Sequence, residues 1–165
     1  MILSIILIII GTLIVYDGGK TVCYFTTIIT AGFFPHNNVY RSIVCDIEKN
    51  IILQGFGELS FGIFLFLRSL NVLKAGSLMG ADTLTLISNV SLILVCGGIF
   101  IAVILHLTSS LRSMNDEMEK EYHHKQELGV NSIKETVFTF SYQAMNQKLV
   151  FSTILLVALI VIRLI

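Results

Sequence analysis

Charge is scarce in this sequence. Only 13% of its residues are Asp, Glu, Lys or Arg, against about a quarter in a typical soluble domain. So few charges cannot coat a water-facing surface around a chain that is 55% hydrophobic, which excludes an ordinary soluble globular domain. Neither sign is in excess, with 11 basic and 11 acidic residues, so nothing draws the chain to nucleic acid as a partner. Proline occurs once. No Gly/Ser-rich or charged low-complexity tract divides the chain, so residues 1–165 read as a single membrane domain without an internal repeat. Catalytic signatures are missing too. There is no G-x-S-x-G, P-loop, H-E-x-x-H or C-x-x-C, and no dense cluster of carboxylates and histidines. An enzyme acting alone is therefore not expected, nor is a metal or other cofactor.

What the chain does have is long apolar runs, reflected in a mean hydropathy of +0.84. Residues 2–16 and 149–162 contain no charged side chain at all. The pattern predicts an all-α, polytopic transmembrane protein with about four spans, near residues 2–16, 51–70, 83–107 and 149–165, with the lipid bilayer as solvent. The first run is shorter than the roughly 20 residues a spanning helix needs. No basic residue precedes it and no small-x-small site follows it, so a retained helix is expected rather than a cleaved leader.

That helix is expected to stop at Asp17-Gly18-Gly19, where two glycines offer turn conformations. A connection then runs to about Asn50. Its apolar part, 21–34, would lie at the interface or re-enter the membrane, and Pro35-His36-Asn37-Asn38 would close it with a turn. Arg68 is placed to snorkel at the end of the second span, and Asp82 is the expected N-cap of the third.

Residues 108–127 contain neither proline nor glycine, and Leu111, Met114, Met118 and Tyr122 recur at helical spacing. The third helix is thus expected to continue out of the membrane. Ser132 and Glu135 form a capping box for a further helix running into the last span. The two arms, within residues 109–148, make a helical hairpin outside the bilayer, each projecting on the order of 25 Å. The alternative is that 132–148 lies flat as an interfacial amphipathic helix. With four spans, Lys20, Arg41, Lys49, Arg112, Lys120, Lys125, Lys134 and Lys148 share one face, against Arg68, Lys74 and Arg163 on the other. The positive-inside rule then puts the hairpin on the cytoplasmic side or its equivalent.

Glu58 is the leading candidate for chemistry, because an ionisable group deep in a span is costly. It shares a helical face with Gly55 and Gly62, which would let a second helix approach the carboxyl closely. Two readings stand: a proton- or cation-binding carboxylate, or a hydrogen-bonded glutamate that helps helices pack. His106 lies near the end of the third span, either as a haem ligand or proton carrier or as an interfacial hydrogen-bonding histidine. Ser88, Ser91, Val95, Gly98 and Ala102 form a small-residue packing stripe, facing either this chain or another protein. Asn89 opens an N-V-S sequon that a membrane span would keep from glycosylation, and His123-His124 reads as a solvated face.

Cys96 is expected to pack in its span. Cys23 and Cys45 share the first connection, where an oxidising compartment would allow a disulfide, whereas the positive-inside count places them on the reducing side.

Size, missing motifs and the stripe lead to the expectation of a non-catalytic accessory or structural subunit of a larger membrane complex, partnered by other membrane protein subunits. The alternative is a small oligomeric ion or proton channel or transporter subunit using Glu58. A redox role for His106 is a third reading.

Overall fold

The computed structural model describes residues 2–32, 38–74, 80–108 and 133–164, with isolated positions between 116 and 124, and only the backbone at 38–40, 74 and 133–139. Among the described residues there are four long helices: α1 (Ile2–Ala31), α2 (Asn38–Lys74), α3 (Ala81–Leu107) and α4 (Ile133–Leu164). Each is long and apolar enough to cross a membrane. Their outer faces are apolar as well, with Ile9, Ile93, Phe100, Val150 and Ile154 all exposed.

The helices run up, down, up and down. α2 is the central one, packed against each of the others. Accordingly 56% of its apolar segment is buried, against 17%, 22% and 17% for α1, α3 and α4.

α1 does not stop at Asp17-Gly18-Gly19. It continues to Ala31, and Gly32 ends it in the left-handed region at φ 70°. There the Gly32 N–H donates to the carbonyls of Ile28 and Ile29 at 3.1 and 3.2 Å, as expected at a glycine terminus that only a residue without Cβ adopts easily. The earlier glycines serve packing instead. Ser4, Gly11, Gly18 and Phe25 are buried at intervals of seven, with Ile14 and Thr21 between them, the spacing of a coiled-coil seam. Gly11 faces Gly62 and Gly18 faces Gly55 in an antiparallel contact so close that backbone meets backbone.

α2 begins at Asn38 rather than near residue 51, because Val44, Ile47 and Ile51 are fully buried with Phe25, Ala102 and Met145. The expected turn at Pro35 lies outside the described residues. α3 begins with Gly80 as an N-cap that makes no side-chain hydrogen bond, so Asp82 is within the first turn and does not cap. Its end also differs from expectation. Thr108 leaves the helical region at φ −66°, ψ 102°, and its hydroxyl donates back to Leu105 O at 2.6 Å, so α3 does not run on through 127. The outer arm of the expected hairpin, 109–127, falls largely outside the described residues. The other arm is part of α4, which is unbroken from Ile133 to Leu164. From Ser141 onward that arm packs into the bundle, with Ser141 and Met145 fully buried.

Two apolar clusters form the core. One gathers Phe25, Val44, Ile47, Ile51, Ala102 and Met145; the other gathers Ile14, Phe61, Phe64, Leu65, Leu155 and Leu159. Between them, buried side chains are polar.

Candidate functional site

Asn50, Gln54 and Glu58 recur every four residues on α2, so they share one face, and all three are buried. Burying such groups in an apolar bundle costs free energy unless each finds a partner. Asn50 Nδ2 donates to the Gly98 carbonyl at 3.0 Å. Gln54 Nε2 donates to Asn50 Oδ1 at 2.6 Å, and Ser152 Oγ donates to Gln54 Oε1 at 3.0 Å. Two residues before Asn50, Glu48 Oε1 accepts from Ser141 Oγ at 3.2 Å. Gly98 makes room for this ladder, since a Cβ there would lie 2.7 Å from Gln54 Cγ.

Glu58 has an ionic partner. Lys148 Nζ donates to Glu58 Oε2 at 2.8 Å and to Asp17 Oδ2 at 2.6 Å, so one ammonium from α4 bridges carboxylates from α2 and α1. Glu58 is fully buried, Lys148 is partly buried, and the Asp17 side chain is 52% exposed at the edge of the bundle. The glycine seam makes the triad reachable. Gly18, next to Asp17, brings α1 so near to α2 that a Cβ on it would stand 3.1 Å from Glu58 Cβ. On α4, Lys148 falls in register with Ser141, Met145, Ser152, Leu155 and Leu159, the buried face of that helix.

With all three groups ionised, two carboxylates face one ammonium and the cluster is one positive charge short. Moreover, Glu58 Oε1 has no hydrogen-bond partner among the described residues, and neither do Glu48 Oε2 and Asn146 Oδ1. The arrangement can therefore take up a proton or a small cation, which would neutralise the excess charge and occupy the free oxygen.

The other candidates are placed as follows. Gly55 and Gly62 lie against α1. Ser88, Ser91, Val95, Gly98 and Ala102 are the buried face of α3, turned toward α2 and α4 of the same chain: Ser91 pairs with Ser60 at 2.8 Å, and Ser88 accepts from Arg163. His106 stacks edge-on against Tyr142, with ring centroids 5.5 Å apart, far along α3 from the triad. Asn89 accepts a hydrogen bond from Arg163. Cys23, Cys45 and Cys96 are free thiols, so no Cys23–Cys45 disulfide is formed, and Cys96 is exposed on α3 rather than packed. His124 is exposed; His123 lies outside the described residues. Among the described residues no group of three or more His, Cys, Asp or Glu side chains is arranged to hold a metal ion.

Two members of the triad escape a reading of the sequence by segments. Asp17 looks like a helix terminator, and Lys148 like a loop cation at the foot of the last span. The signal that finds them is the interval of seven: Gly11 and Gly18 on α1 repeat the spacing of Gly55 and Gly62 on α2. The same register carries Ser141, Lys148 and Leu155 on α4. No protein-family model, curated protein or solved structure matches the chain at a significant level.

Proposed function

We propose that this chain is a small multi-pass membrane protein that binds and passes a proton or small monovalent cation at the Asp17–Lys148–Glu58 centre, as a channel or transporter subunit. The observation that carries the reading is the charge shortfall at Glu58. A fully buried carboxylate that shares its one ammonium with a second carboxylate at the bundle edge is costly to keep for packing alone.

Depth supports the same reading. Glu58 stands nine positions beyond Lys49 and ten short of Arg68 on α2, or about 14 and 15 Å at the helical rise. Lys49 is solvent-facing and Arg68 reaches the last turns of α4, so the two bracket a layer close to the ~30 Å of a bilayer core. The triad then sits near mid-membrane. Gln54, Asn50 and Glu48 lead from it toward the end of the bundle that holds Ala31 and Leu107. Taking Lys20 and Lys148, both now within helices that span, out of the loop count leaves Arg41, Lys49, Arg112, Lys120, Lys125 and Lys134 against Arg68, Lys74 and Arg163, so that end remains the proposed cytoplasmic side.

The test is flux through reconstituted protein. Proteoliposomes carrying a pH-sensitive dye, or a sodium or potassium indicator, are driven by an imposed potential, with Glu58→Gln and Lys148→Met beside the parent. Flux lost in Glu58→Gln while size-exclusion behaviour is unchanged supports an ion centre. Normal flux in that variant, or no flux in the parent for any of the three ions, removes it.

A second reading, a non-catalytic accessory subunit of a larger membrane complex, is favoured by Asp17 itself. Its half-exposed carboxylate lies beside Tyr16, which is 70% exposed on the same helix, and a partner helix covering this edge would shield both from lipid. Native mass after gentle extraction discriminates: a defined hetero-complex supports this reading, and a chain that purifies alone or with copies of itself opposes it.

A further inference from the structure

At the opposite end of the bundle from Glu48, Arg68 of α2 and Arg163 of α4 line one open cavity of about 540 Å3 between α2, α3 and α4. Their hydrogen bonds go to neutral acceptors. Arg68 donates to Ile162 O at 2.8 Å, and Arg163 to Ser88 Oγ at 2.8 Å and Asn89 Oδ1 at 2.6 Å. A guanidinium carries five N–H donors, and among the described residues Arg68 uses one and Arg163 two. No ion pair to a carboxylate involves either arginine among the described residues. Both cations line one cavity, with Asp82 in the first turn of α3 as the acid next to its lining residues, and a planar, many-donor guanidinium is the side chain best matched to a tetrahedral anion. The α3 N-terminus opens into the same cavity at Ala81 without a side-chain cap, which adds positive potential.

Two further features identify the anion's carrier. The lining of the cavity includes Phe64, Leu84 and Ile162 beside the polar Ser88 and Asn89, so it can receive hydrocarbon as well as a headgroup. Beyond Arg68 and Ile162 a second, mostly apolar cavity of about 270 Å3 is lined by Leu3, Leu7, Leu65 and Val72. Arg68 thus stands between a cationic cavity and an apolar one, both running along the helix axes.

We propose that this is a binding site for an anionic phospholipid, with its phosphate held between Arg68 and Arg163 beside Ser88 and Asn89, and its acyl chains laid over Phe64 and Leu84 and into the α1 cavity. The site is separate from the Glu58 centre and rests only on the helices being membrane-embedded.

The test uses the full chain in detergent micelles titrated with dioleoyl phosphatidylglycerol or dioleoyl phosphatidylcholine, with bound lipid counted by native mass spectrometry. Phosphatidylglycerol is expected to bind more tightly, and Arg163→Gln is expected to weaken it roughly tenfold or more, toward the phosphatidylcholine level. Each arginine also ties two helices, Arg68 joining α2 to α4 and Arg163 joining α4 to α3, so Asn89→Ala, which removes one of the Arg163 ties and keeps both cations, is run beside Arg163→Gln and should retain the phosphatidylglycerol preference. Equal binding of the two lipids, or a phosphatidylglycerol preference that survives Arg163→Gln, overturns the proposal. Displacement of phosphatidylglycerol by inorganic phosphate at comparable concentration overturns the lipid assignment in favour of a free anion.

Discussion

Gly18 of α1 lies so close to Gly55 of α2 that a Cβ built on it would stand 2.8 Å from the Gly55 carbonyl oxygen and 2.9 Å from the Leu59 nitrogen. Both are backbone atoms, so the strain has no flexible side chain to absorb it. Gly18→Ala should destabilise the fold by about 1–3 kcal/mol, even though alanine is the better helix former by about 1 kcal/mol. The neighbouring Gly19 is the control, because a Cβ there would meet only Leu59 Cδ2 at 3.8 Å. Gly19→Ala should hold or raise stability. Thermal unfolding of the two variants in the same detergent, followed by circular dichroism, checks the opposite signs.

Removing the shared cation should be worse than removing the pair. Lys148→Met leaves the fully buried Glu58 carboxyl facing Asp17 with no ammonium between them, and breaking a buried pair costs on the order of 3–5 kcal/mol. Lys148→Met combined with Glu58→Met replaces the contact with apolar volume and should recover most of that loss. Stability of the single and double variants, measured together, is the check. A double variant as unstable as the single would mean that Lys148 acts mainly through another contact.

The ladder beside the triad makes a separate prediction. Gln54 joins Asn50 on α2 to Ser152 on α4. Gln54→Leu keeps much of the side-chain volume but strips a partner from both, at about 1–3 kcal/mol for the buried groups left unsatisfied. Because Gln54 and Lys148 share no hydrogen-bond partner among the described residues, the loss should add to that of Lys148→Met rather than replace it. Denaturation of both single variants and their combination decides this.

How much of this was legible beforehand follows from what each residue responds to. Four helices and the α3 stripe from Ser88 to Ala102 are local matters of hydropathy and residue size, and they can be read along the chain. The extent of α1 and α2 is not local. Asp17-Gly18-Gly19 has the composition of a turn, and only the partner glycines at 55 and 62 turn it into a packing surface. Likewise residues 41–50 carry enough charge to look like a loop, yet Val44, Ile47 and Ile51 bury one face of a helix there. Glu58 announces itself as a lone carboxylate in an apolar run, whereas Lys148 sits beside Asn146 and Gln147 and passes for the edge of a loop. Its role depends on a register shared by three helices.

Cysteine reactivity tests where the membrane lies. Val95 packs on Gly57, the residue before Glu58, so Cys96 is level with the triad, yet it is exposed on the outer face of α3. Cys23, also exposed, is on α1 next to Tyr24, whose ring meets Phe140 at 5.9 Å near the start of the last apolar segment. Thiolate is the reactive form and hydrocarbon suppresses it. If the bilayer is centred on Glu58, Cys23 lies only about 9 Å from the level of Asp17 and is still inside the core, whereas the half-buried Cys45, thirteen positions before Glu58 on α2, stands about 20 Å away and beyond it. A water-soluble maleimide applied to vesicles opened on both sides should therefore label Cys45 ahead of both Cys23 and Cys96. All three should react once the protein is unfolded in detergent. The folded protein should also run as reduced on a non-reducing gel, with Cys23 and Cys45 unlinked. Fast labelling of Cys96 in the intact bilayer would move the membrane off the triad, and with it the argument from depth for an ion centre at Glu58.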